Sequence, residues 1–192
     1  METQLSPDES LRLITNMIAK TRKGISDRSQ YFLVWGWAIF LACIAEFILK
    51  VIFRSPYHDQ VWWVIIPCII LTLVNAHRDK QKDVVTTYMG ETLADLWTAL
   101  GISFFVISII FAKIGWQYCF PFYIMLYGVG TFISGRLTKF KPLLIGGIVC
   151  WILASVCVWM EYDYQILFTA AALLVSYIIP GHLLRKKFQN QY

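Results

Sequence analysis

Residues 31–53 read YFLVWGWAIFLACIAEFILKVIF, a stretch whose only charged residues are Glu46 and Lys50. An α-helix needs about 20 predominantly apolar residues to cross a hydrocarbon core about 30 Å thick, so this stretch reads as a transmembrane span. By the same criterion five more follow, at Val61–His77, Leu93–Ile114, Tyr118–Gly135, Leu143–Met160 and Tyr164–Leu184. Composition agrees, since 58% of the 192 residues are hydrophobic and 15% are charged, whereas soluble domains run near about 25% charged. The expected fold class is all-α: a polytopic membrane protein with six transmembrane helices as three hairpins. Residues 29–187 hold this domain, residues 1–28 an amphipathic cytoplasmic helix, and residues 188–192 a short cytoplasmic tail. The second span is the shortest and contains Pro67, whose missing N–H leaves a carbonyl for a neighbour, tilt or water to satisfy.

The N-terminal element has its own start signal. Ser6-Pro7-Asp8-Glu9 supplies a capping Ser, a Pro at the first helical position and a Glu three residues after the cap. A helix from Pro7 to Lys23 gathers Leu11, Ile14, Met17 and Ile18 on one face, turns Arg12, Asn16, Lys20 and Lys23 elsewhere, and ends at Gly24. Such a helix suits the cytoplasmic leaflet or a membrane partner. The first thirty residues hold no apolar core followed by a small-residue cleavage site, so the first span is expected to serve as both signal and anchor.

Lysine and arginine decide the orientation, because positive charge is retained in the cytoplasm. Arg12, Lys20, Arg22, Lys23 and Arg28 precede the first span; Arg78, Lys80, Lys82, Arg136, Lys139 and Lys141 fall in the even-numbered loops; Arg185, Lys186 and Lys187 follow the last span. The other side has Arg54 and Lys113, with Lys50 at the end of the first span. Both termini are therefore expected in the cytoplasm. Trp62, Trp63, Trp116, Trp159 and Tyr162 would lie at the outer interface, and Tyr31, Trp35, Trp37 and Trp97 near the inner one.

Within the spans, Glu46 is the leading candidate for function, since an intramembrane carboxylate is costly. Lys50 follows one helical turn later in the favourable Glu-then-Lys order, so a structural ion pair is the competing expectation. A second polar set, Asn75, His77, Glu91, Asp95 and His182, falls at the cytoplasmic ends of three helices and could form a vestibule. Its spacing matches no metal motif. Gly128, Gly130, Thr131, Ser134 and Gly135 in the fourth span, with Gly146 and Gly147 in the fifth, suit close helix packing, within one subunit or across a homo-oligomer. Of the five cysteines, Cys43, Cys68, Cys150 and Cys157 lie in apolar stretches, while Cys119 is expected as an exposed thiol near the outer surface. A disulfide framework is not expected.

The chain has no His-Glu-x-x-His, no Gly-x-Ser-x-Gly and no Gly-Lys-Ser/Thr triplet. No catalytic residue, cofactor, metal or nucleic-acid partner is therefore expected, and the lipid bilayer accounts for the formal charge of +5. Three runs carry a resemblance: Ser6-Pro7-Asp8-Glu9-Ser10-Leu11, Phe32-Leu33-Val34-Trp35-Gly36-Trp37, and residues 140–151, FKPLLIGGIVCW. Through them the chain resembles an uncharacterised family of small six-helix bacterial inner-membrane proteins, which implies the layout and brings no activity with it. In layout alone the chain is also similar to acid-stress membrane proteins of paired-helix repeats and to six-helix substrate-binding subunits of vitamin transporters. The expectation is a non-enzymatic stress-response, scaffold or partner-binding membrane protein. The alternative is a small-molecule or ion transporter subunit with a pocket at Glu46, and a membrane enzyme stands third.

Overall fold

The structure, a computed structural model, describes residues 33–82 and 88–189. The expected amphipathic helix of residues 1–28 lies outside them. Six helices and no strand make up the described residues. Helix α1 is Leu33–Ile52. Helix α2, Ile65–Lys82, is entered through a 3-10 stretch at His58–Val64. Helix α3 is Tyr88–Ile114, and α4, Cys119–Leu137, follows a 3-10 turn at Trp116–Tyr118. Helix α5 is Lys141–Cys157, and α6 spans 162–189 with a π-helical turn at Leu174–Ile178.

Five of these helical segments are long and apolar enough to cross a membrane: Leu33–Ile52, His58–Asn75, Gly90–Ile114, Trp116–Leu137 and Tyr162–Lys186. Helix α5 is shorter, at 17 residues. Beyond Cys157 a looser turn extends its path, with the Trp159 N–H bonding the Val156 carbonyl and the Met160 N–H bonding the Cys157 carbonyl, each at 3.1 Å.

Backbone proximity organises the body of the protein. Helix α4 ends in a Schellman turn, in which the Phe140 N–H bonds the Gly135 carbonyl at 3.0 Å and the Lys139 N–H bonds the Arg136 carbonyl at 3.3 Å. Lys139 takes the left-handed position at φ 52°, where glycine is the usual occupant. Pro142, at the start of α5, has a φ already suited to a helical first turn. The reversal lays α5 directly on α4. A Cβ on Gly135 would lie 2.5 Å from the Leu144 nitrogen, and one on Gly147 2.7 Å from the Phe132 nitrogen, so only hydrogen fits at either crossing.

Helix α6 packs against α5 and α4 together, with Tyr177 meeting Tyr127 of α4. Gly146 sits against Ser176, Cys150 Sγ reaches the Ala172 carbonyl, and Cys157 Sγ reaches that of Gln165, so each step forward on α5 meets a step back on α6. Helix α1 completes this body, with Gly36 against Tyr177 and Gly181 against Leu33. Helices α2 and α3 lie on its flanks. Only 6% of the α2 span and 11% of the α3 span are buried, against 50% and 56% for the spans of α4 and α6. Ile69, Ile70 and Leu73 on α2, and Ile102, Phe105 and Ile109 on α3, are exposed. Those faces match hydrocarbon better than water.

Two prolines and one cysteine need comment. Pro67 falls just after the change from 3-10 to α geometry at Ile65, within the continuous helical segment His58–Asn75. Pro180 follows the π-helical turn Leu174–Ile178, the widening that a helix adopts where the i−4 carbonyl must avoid a proline ring. Cys119 is not the exposed thiol expected from its position. It begins α4 at 3% exposure, within the cluster of Cys43, Phe120, Ile124 and Cys157. All five cysteines are free and buried.

Candidate functional site

Near its end, α1 widens from α- to π-helical geometry over Ile48–Ile52, closed by an i to i+5 bond from the Phe53 N–H to the Ile48 carbonyl at 3.1 Å. Lys50 lies within this turn, four residues after Glu46. Its ammonium meets Asp163 Oδ1 at 2.8 Å, in the first turn of α6, and lies 3.7 Å from the centroid of the Tyr162 ring. The anticipated Glu46–Lys50 ion pair therefore does not form. Lys50 bridges α1 to α6 instead.

Glu46 is left with other company. The chain reverses after α1, with Arg54 at a positive φ of 48°, and enters the 3-10 stretch at His58 and Asp59. Three residues per turn place Asp59 and Trp62 on one face of that stretch. Trp62 Nε1 donates to Glu46 Oε2 at 3.0 Å. The Glu46 side chain is fully buried, and its other oxygen, Oε1, has no hydrogen-bond partner among the described residues. That oxygen stands 3.8 Å from His58 Nδ1. The same nitrogen is 2.9 Å from Asp59 Oδ1, yet makes no aligned hydrogen bond. Asp59 is exposed and His58 is mostly covered, so the cluster runs from a buried floor to an open rim.

Among the described residues, Glu46, His58 and Asp59 are the group of His, Cys, Asp or Glu side chains close enough to share one ion, with ligand atoms all within 4.8 Å of one another. The second polar set is not gathered in this way. Asn75 is half-buried, while His77, Asp95 and His182 are exposed at separate helix ends. Gly130, Ser134, Gly135, Gly146 and Gly147 lie between helices of this one chain: Gly130 faces Trp97 and Leu100 of α3, Gly146 faces α6, and Ser134 is fully buried. Sequence reasoning passed over His58, Asp59 and Asp163. The signal for the first two was a His-Asp pair in the short connection directly after the span that holds Glu46.

Comparisons with protein-family models, with curated proteins and with solved structures return no match for this chain.

Proposed function

We propose that the chain is a non-enzymatic scaffold of the bacterial inner membrane. It crosses the bilayer six times as three helical hairpins, keeps both termini in the cytoplasm and docks a membrane partner through residues 1–28. The apolar flanks of α2 and α3 support the membrane reading. Paired contacts that step in opposite directions support the hairpins: Trp35 Nε1 donates to Thr72 as Trp62 Nε1 does to Glu46, and Gly130 meets Trp97 as Tyr123 meets Ser108. Orientation rests on charge, with Arg136, Lys139, Lys141, Arg185 and Lys186 at one end of the body and Lys50, Arg54 and Lys113 at the other. One observation carries the scaffold reading: both charges inside α1 are tied to other elements, Glu46 to Trp62 and Lys50 to Asp163, and so fasten helices together.

A reporter active only in the cytoplasm is expected to work when fused after Tyr192 and to be silent when inserted after Tyr57. The opposite pattern rejects the orientation. Deleting residues 1–28 is expected to leave the six-helix body inserted while removing a crosslinked membrane partner seen with the full chain; an unchanged crosslink rejects the docking role.

The unpartnered Oε1 of Glu46 favours a second reading, an ion or small-molecule transporter subunit. Under it, Glu46→Gln abolishes uptake while the protein remains folded and inserted. Uptake at the native rate in that variant removes this reading.

A further inference from the structure

The polar end of α1 contains more than a fastening. Two carboxylates converge there on one imidazole, and Lys50, the ammonium nearest in sequence, is committed to Asp163. Among the described residues, His58 is the sole basic side chain at ion-pairing distance from either Glu46 or Asp59. Two converging carboxylates repel, and one of them is buried without a partner for one oxygen, which is costly unless something positive completes the site. We infer that Glu46 Oε1, His58 Nδ1 and Asp59 Oδ1 form a binding site for a divalent transition-metal cation.

The geometry is close to what such an ion requires. Bonds of about 2.0–2.2 Å in tetrahedral arrangement place donor atoms about 3.3–3.6 Å apart. The Glu46–His58 separation of 3.8 Å and the His58–Asp59 separation of 2.9 Å lie on either side of that value. A small swing of the exposed Asp59 widens the shorter separation, while Trp62 holds Glu46 by its second oxygen and fixes which oxygen faces the ion. An imidazole ligand selects zinc, copper, iron or nickel over calcium and magnesium, which prefer all-oxygen shells. The open rim beside Asp59 leaves the fourth position to water. This inference goes beyond the scaffold reading, which requires no ion, and stands or falls separately from it.

The test uses the full-length chain in detergent or nanodiscs, stripped with EDTA, dialysed, and titrated with Zn2+ alone and then with Zn2+ against excess Mg2+. One equivalent of Zn2+ per chain is expected to bind, to resist Mg2+ and to raise the thermal midpoint in a concentration-dependent way. His58→Ala and Asp59→Asn are each expected to weaken binding at least about tenfold and to erase the thermal shift. These two are the deciding variants, because both positions lie at the start of the 3-10 stretch, which holds no fully buried residue, and so leave the core intact. His182→Ala, at a distant exposed histidine, is expected to bind as the native chain does. Equal Zn2+ uptake by the native chain and His58→Ala, or complete displacement by Mg2+, overturns the site.

Discussion

Gly135→Leu is expected to destabilise the protein by about 3 kcal/mol or more, at the upper end of what overpacking costs, because the obstacle is backbone and not a side chain that can swing away. Even the first carbon of the new side chain would stand 2.5 Å from the Leu144 nitrogen and 2.9 Å from its Cα, so α5 must lift off α4 to admit it. The lift breaks the Schellman turn, whose Phe140 N–H bonds the carbonyl of Gly135 itself. Gly101→Ala provides the contrast. It lies within α3 with nothing within 4 Å of an added Cβ, and exchanging glycine for alanine in an open helical position is worth about 0.5–1 kcal/mol of stabilisation. Thermal midpoints of the two variants in one detergent check both expectations. A Gly135→Leu chain that melts with the native one would show that α4 and α5 do not touch at this crossing.

Trp62→Phe is expected to cost about 2 kcal/mol, because it removes the hydrogen-bond donor to a carboxylate that has no other. Phenylalanine is smaller than the indole that packs against Phe120, so the loss combines the Nε1 contact with packing, and the double variant separates the two. Glu46→Met alone is expected to cost less than Trp62→Phe, since it removes the desolvated carboxylate but leaves the Trp62 N–H without its acceptor. In the Trp62→Phe, Glu46→Met double variant the hydrogen-bond part of the loss should vanish while the packing part remains. Metal-free protein is the right sample, since a bound cation would mask the missing donor. If the two single effects simply add, Trp62 and Glu46 are not partners and the local structure of α1 must be redrawn.

Much of the architecture is a local property and therefore legible in order along the chain. The first span needs nothing beyond the run from Tyr31 to Phe53 to be recognised, and five segments of the required length and apolarity stand in the structure. The same hydropathy marks residues 141–160, where the regular helix stops at Cys157 and a looser turn carries on to Met160. Glu46 also stands out from sequence alone, because a carboxylate among aliphatic and aromatic neighbours is an exception wherever the chain places it. Cys119 shows where the method fails. Nearness to a loop suggested exposure, but α4 begins at Cys119 itself and turns that side chain into the core at once.

Helical spacing was the wrong guide at Lys50 for a reason no periodicity records. Four residues in an α-helix bring a lysine back beside a glutamate, yet Lys50 is taken by Asp163 on another helix. Trp62 was likewise read as an interfacial ring, whereas its N–H is spent on Glu46. By itself the sequence determined that this protein is helical and apolar, where its spans run and which buried charge is anomalous, since hydropathy and helix length depend on neighbours in the chain. Only the tertiary structure decided which residues surround that charge. His58, Asp59 and Trp62 reach it across a reversal of the chain, and contacts between residues far apart in sequence follow from how helices pack, not from what each contains.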